Sequence, residues 1–196
     1  MFYLKIKKKT NFKLNLKMNK KMILTTIGIA LVAFIGFGFY KASGLTSLQI
    51  VTSVTAKSSK TEAFNMVRYL KNFPKWSPFL AQDPAQKYEV KGTDGEVGAQ
   101  YHWDGNGGKD LGYQEIVKID TLNFIGMKCD IQKPFVAKPI FDYSFKETTD
   151  GIEITQDFKL QSSLVDAFFM WLFGAKAEME KTNQSGMALL KKAIEG

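Results

Sequence analysis

At 196 residues the chain is long enough for one domain and an appendage, and its single cysteine, Cys129, and single histidine, His102, exclude an intrachain disulfide and the common zinc-binding patterns. The net charge of +8 sits entirely in the first 21 residues, which carry Lys5, Lys7, Lys8, Lys9, Lys13, Lys17, Lys20 and Lys21 and no acid. The remainder is neutral and holds one arginine, Arg68, so the basic balance gives no argument for nucleic-acid binding by a folded part.

Residues 1–21 read as a basic cytoplasmic arm, within which Met18 offers an alternative start. From Met22 to Tyr40 no residue is charged. At 1.5 Å per residue this run makes roughly 28 Å of helix, close to the hydrocarbon thickness of a bilayer. It lacks the polar face of a core helix, so residues 22–40 are expected to form one transmembrane helix, a signal anchor. A cleaved signal peptide is the alternative, resting on the small residues Ala42-Ser43-Gly44. Lysines before the span and only Lys41 after it place the N-terminus in the cytoplasm and the rest of the chain on the extracytoplasmic side. Residues 41–47 read as a linker.

Residues 48–196 form the domain. Leu48 to Val54 alternates as a first strand, and Ser59 with Glu62 has capping-box spacing before a helix whose apolar stripe is Ala63, Phe64, Val67 and Leu70. Asn72 and Pro74 end it. Pro74 and Pro78 flank Trp76; the second proline is expected to keep the chain extended and to present the tryptophan at a sheet rim.

Turn signals at Asp94-Gly95, Asp104 to Gly108, Asp120-Thr121 and Asp150-Gly151 then separate the strands of a six-strand antiparallel meander. Alternation assigns inner faces to Ala99, Tyr101 and Trp103; to Tyr113, Glu115, Val117 and Ile119; to Ile125, Met127, Cys129 and Ile131; to Phe141, Tyr143 and Phe145; and to Ile152, Ile154, Gln156, Phe158 and Leu160. Ser163 caps a helical ending that Gly174 breaks, and Met179, Gly186, Met187, Leu190 and Ile194 then step at helical spacing along one face.

The run Phe73 to Phe79, the stretch Gly95 to Asn106 and the ending Gly186 to Glu195 together resemble the polyketide cyclase/dehydrase branch of the START-like (SRPBCC) superfamily over about residues 47–195. That resemblance implies an α+β helix-grip fold, a curved antiparallel sheet wrapped around a long C-terminal helix. It also implies a cavity between them that takes lipids, polyketides or other apolar molecules. Some members of the family are enzymes and many only bind, so the resemblance does not choose.

The aromatic and apolar inner residues Trp76, Tyr101, Trp103, Tyr113, Met127, Phe141, Tyr143 and Phe158 either line such a cavity or fill a core. Glu115, placed by alternation on the inner wall, is the candidate acid–base or ligand anchor, with Tyr101 or Tyr143 as proton relays in a cyclase or dehydratase reading. His102 falls on the outer face. Residues 164–173, ten residues with four aromatics and one charge, are too short to span a bilayer and read as core, a membrane-contacting patch or a docking surface for a protein partner. The first expectation is a membrane-tethered domain that binds a small apolar ligand, with no cofactor, metal or nucleic acid as partner.

Overall fold

The computed structural model describes residues 19–196. The arm expected over residues 1–21 therefore lies outside the described residues except for its last three. The chain divides into two compact units, one ending at Phe37 and one running from Gly38 to Gly196.

Helix α1 (Lys20–Ser43) is long and apolar enough to cross a membrane. Residues 21–37 of it are exposed on every face, with Leu24, Ile27, Ile29, Leu31 and Val32 among them. It continues three residues beyond the expected span, through Lys41 to Ser43, and β1 begins at Ser47. The expected linker 41–47 thus shrinks to Gly44, Leu45 and Thr46. Ala42 is buried in the second unit, inside the segment that sequence reading left open for cleavage.

The second unit is α+β. A seven-stranded antiparallel sheet has the order β1-β7-β6-β5-β4-β3-β2, from β1 (Ser47–Ala56), β2 (Lys87–Lys91), β3 (Gln100–Gly105), β4 (Asp110–Asp120), β5 (Phe124–Lys133), β6 (Ile140–Thr148) and β7 (Gly151–Gln161). The last six follow one another as hairpins, and β1 pairs with β7 along its whole length, from Ser47 opposite Gln161 to Ala56 opposite Ile152. Against the inner face pack α2 (Lys60–Arg68), a 3-10 turn (Leu70–Lys75) and the long α5 (Ala175–Glu195), with the short α3 (Pro78–Gln82) and α4 (Leu164–Leu172) packed on α5. This is the helix-grip architecture expected from the sequence.

The local signals act as read. Ser59 Oγ accepts from the Glu62 amide at 3.2 Å while a Glu62 carboxylate oxygen accepts from the Ser59 amide at 3.1 Å, a complete capping box. Ser163 caps α4 through the Asp166 amide, and Gly174, at φ 66°, breaks the chain between α4 and α5. Pro78 departs from expectation. It is the first residue of α3, with Ser77 Oγ accepting from the Leu80 amide, so it starts a helix where sequence reading kept the chain extended.

Two apolar clusters hold the unit together. The larger lies between sheet, α2, the 3-10 turn and α5, and includes Phe64, Leu70, Trp76, Tyr101, Met127 and Leu190. The smaller gathers Leu48, Ile50, Phe158 and Leu160, with Leu45, Ala137, Met170 and Met179 against it.

Candidate ligand site

The inner face of the sheet follows alternation on every strand except β4. There the buried residues are Gly112, Gln114 and Ile116, while Tyr113 and Glu115 stand opposite His102 and Gln100 on the outer face. The cause is a register shift: Ile116 pairs with Met127 and Lys118 with Gly126, which leaves Val117 as one extra residue in the ladder. Such a bulge exchanges the two faces of a strand. Ile119 beyond it does pack inward, so extrapolating from Ile119 back through the bulge put Tyr113 and Glu115 on the wrong side.

Glu115 is instead one member of an outer-face network. It accepts from Gln100 Nε2 at 2.9 Å and pairs with Lys128 Nζ at 3.3 Å. Since the Gln100 amide nitrogen is directed at the carboxylate, its oxygen faces His102 Nε2 at 2.9 Å, and that ring nitrogen must donate. The His102 ring also stacks on Tyr113, with centroids 5.1 Å apart. Burial, and secondarily Lys91, hold the imidazole below its ordinary pKa, with Glu89 pulling the other way.

Trp76 is not at the rim. It is 2% exposed, with its ring edge-on to Phe73 at 4.7 Å and to Tyr143 at 6.1 Å. Phe73 in turn meets Tyr101 edge-on at 5.0 Å. Tyr101, Met127, Tyr143 and Phe158 are buried as well, and Phe141, half-buried, crosses Phe158 at 5.1 Å and touches both clusters. Trp103 is half-buried and donates its Nε1–H to Asp110 at 3.0 Å. Of the residues proposed to line a cavity, the structure gathers Trp76, Tyr101, Met127 and Tyr143 in one core, with Trp103 and Phe141 packed against it, and it leaves Tyr113 and Glu115 outside.

This interior carries polar groups. Gln156 donates to the Tyr143 hydroxyl at 2.9 Å, yet Gln156 Oε1, Gln114 Nε2, the Tyr101 hydroxyl, Trp76 Nε1 and Asn183 Nδ2 have no partner. All five residues are more than nine-tenths buried. Each such atom costs about 1–3 kcal/mol, so together they rival the net stability of a domain unless a water or ligand atom meets them. Burial raises the hydroxyl pKa of both Tyr101 and Tyr143 and pushes the Cys129 thiol up to about 12, so all three are neutral at physiological pH. Gln114, Gln156 and Asn183 are the part that sequence reading missed. Alternation turns Gln156 inward, the bulge hides Gln114, and Asn183 lies one turn before Gly186-Met187 on the buried face of α5.

Two open concavities of the surface lie elsewhere. One of about 600 Å³ is lined by Phe79, Gln82, Asp83, Gln86, Asn106, Lys109, Asp110 and Pro134. Among the described residues no group of histidine, cysteine and acidic side chains could hold a metal ion.

No protein-family model matches the chain, and no curated protein matches it. Solved structures share its fold. Protein CV1439 from Chromobacterium violaceum superposes with a TM-score of 0.57 at 10% identity, over 76% of this chain and 97% of its own. Ara h 8.0201 does so with 0.55 at 13% identity, over 76% and 97%. The di-domain ARO/CYC StfQ from the steffimycin biosynthetic pathway gives 0.57 at 10% identity, over 76% of this chain and 51% of StfQ. Identities this low show the fold alone. The unit from Gly38 to Gly196 is a helix-grip domain, and these structures share that fold.

Proposed function

We propose that this chain is a membrane-tethered binding domain for a small hydrophobic ligand that carries a hydrogen-bonding group, taken up between the sheet and α5. The observation that carries the reading is the set of five unpartnered, buried polar atoms among aromatic side chains. An interior meant only as filler gains nothing from Gln114, Gln156 and Asn183, whereas a ligand with a carbonyl or hydroxyl meets both their donors and their acceptors. Trp76, Tyr101, Trp103, Met127, Phe141, Tyr143 and Phe158 are the proposed apolar surround. Because these side chains fill the interior, uptake requires them to part, and Met127 is the most adaptable of them. The resemblance to the polyketide cyclase/dehydrase branch, together with the fold shared with the ARO/CYC StfQ, supports an apolar, oxygenated ligand.

An acid–base role would need an inward Glu115, whereas that carboxylate lies on the outer face beside Lys128. In this proposal α1 is the tether, with the N-terminus in the cytoplasm and the domain on the other side. An alkaline-phosphatase fusion after Gly196 should be active, and an inactive fusion would reverse the orientation.

The test of binding uses the full chain extracted in native nanodiscs, analysed by native mass spectrometry and solvent extraction. A stoichiometric apolar molecule beyond bulk lipid is expected, and it should be lost in the Tyr143→Phe/Gln156→Leu double variant. If wild type and variant retain the same molecules, the proposal fails.

A further inference from the structure

Two exposed apolar segments converge at one end of the domain. Val165, Phe169, Leu172 and Phe173 form one face of α4, and Phe135 and Val136 lie in the β5–β6 loop; Phe173 is 75% exposed and Val136 77%. They share an underlayer, because Met170 of α4 and Ala137, next to Val136, both pack on the small cluster of Leu48, Ile50, Phe158 and Leu160. Leu45, two residues after α1, packs on the same cluster. The C-terminal turns of α1 that belong to this unit lie against α4. Phe39 stacks on Phe168 with centroids 4.7 Å apart, and Gly38 sits so close to Phe168 and Trp171 that a Cβ there would collide with both rings. Phe39 is two residues, about 3 Å of helix rise, from Phe37 at the end of the fully exposed apolar run. Lysines flank both segments, Lys133 and Lys138 around the loop and Lys176 after α4.

Exposed apolar residues on two segments over one underlayer, with lysines flanking both in sequence, have the composition of a surface that lies in a lipid interface. We infer that the end of the domain formed by α4 and the β5–β6 loop seats on the bilayer that α1 crosses, with Phe169, Phe173, Phe135 and Val136 among the acyl chains. The inference rests on reading α1 as a membrane span. Its occupant is a lipid surface because α4 packs on Gly38 and Phe39, which follow directly in the chain on the residues that reading already puts in lipid.

The test is made on the full chain in phosphatidylcholine vesicles, with single engineered cysteines carrying an environment-sensitive fluorophore and with doxyl-phosphatidylcholine as quencher. Cys129 is buried with its thiol pushed up to about 12, so it does not compete for label. Labels replace Phe173, Val136, Thr149 and Leu31. Thr149 lies in the β6–β7 turn, beside the far end of β1, roughly 30 Å from Ser47 by strand rise. Blue-shifted emission and severalfold stronger doxyl quenching at positions 173 and 136 than at 149 are expected. If 173 and 136 behave like 149 while 31 is quenched, the seating is wrong and the span stands. If 31 is not quenched either, both readings fall. A blue shift at 173 without doxyl quenching would mean that protein covers the patch, and would overturn the inference in favour of a protein partner. Val165→Cys is the second α4 position should Phe173→Cys fail to fold.

Discussion

Gln156 Nε2 donates to the Tyr143 hydroxyl at 2.9 Å across the β6–β7 ladder, while the carbonyl end of the same amide has no partner. One half of this buried amide is satisfied inside the protein and the other half is left for something else. Removing only the hydroxyl, Tyr143→Phe, strands the Gln156 donor and should cost about 1–3 kcal/mol in urea unfolding. Adding Gln156→Leu removes the stranded group and should recover most of that loss. A double variant less stable than the single would show that no polar group there is left wanting.

Glu115→Gln should change stability by no more than about 0.5 kcal/mol, since its partner Lys128 is solvent-exposed and such pairs are worth little. It should leave the co-purifying molecule unchanged in native mass spectrometry. Loss of the molecule would return Glu115 to the ligand site against its observed orientation.

Trp76 and Trp103 are predicted to differ. Trp76→Ala empties part of the core between Phe73 and Tyr143 and should cost about 3–5 kcal/mol. Trp103→Ala, at a half-buried ring held by Asp110, should cost clearly less. Equal losses in chemical denaturation would contradict the burial assigned to the two rings.

Stability should fall at alkaline pH. The Cys129 thiol, near 8.5 when unfolded, is pushed up to about 12 in the fold, and Tyr101 and Tyr143 move in the same direction. A group whose pKa is raised on folding contributes fully below its unfolded value and loses that contribution as pH rises towards the folded one. The urea midpoint should therefore decline from about pH 8.5 upward, and less steeply in Cys129→Ala. A midpoint that holds level to pH 10 would refute the burial of these groups.

Most of the fold could be read from short-range chemistry. The Ser59–Glu62 box, the Ser163 cap, the Gly174 break and the hairpin turns are decided within a few residues, and alternation gives the inner faces of β3, β5, β6 and β7. The candidate site was less legible, for two physical reasons. A single inserted residue at Val117 reverses a strand face without any signature in composition, which exchanged Glu115 for Gln114. The direction of Trp76 depends on the 3-10 turn packing on β3 and α3 packing on α5, tertiary contacts that flanking prolines do not encode.

Only Gly44, Leu45 and Thr46 separate the end of α1 from β1, and they are tied down, with the Leu45 amide donating to Ala42 and the Ser162 amide donating to Thr46. Fully extended, three residues reach about 10 Å, and these are not extended. Gly44 to Thr46 are thus a hydrogen-bonded corner of the folded unit and not a free linker, so the last turn of α1 and the start of β1 hold a fixed geometry.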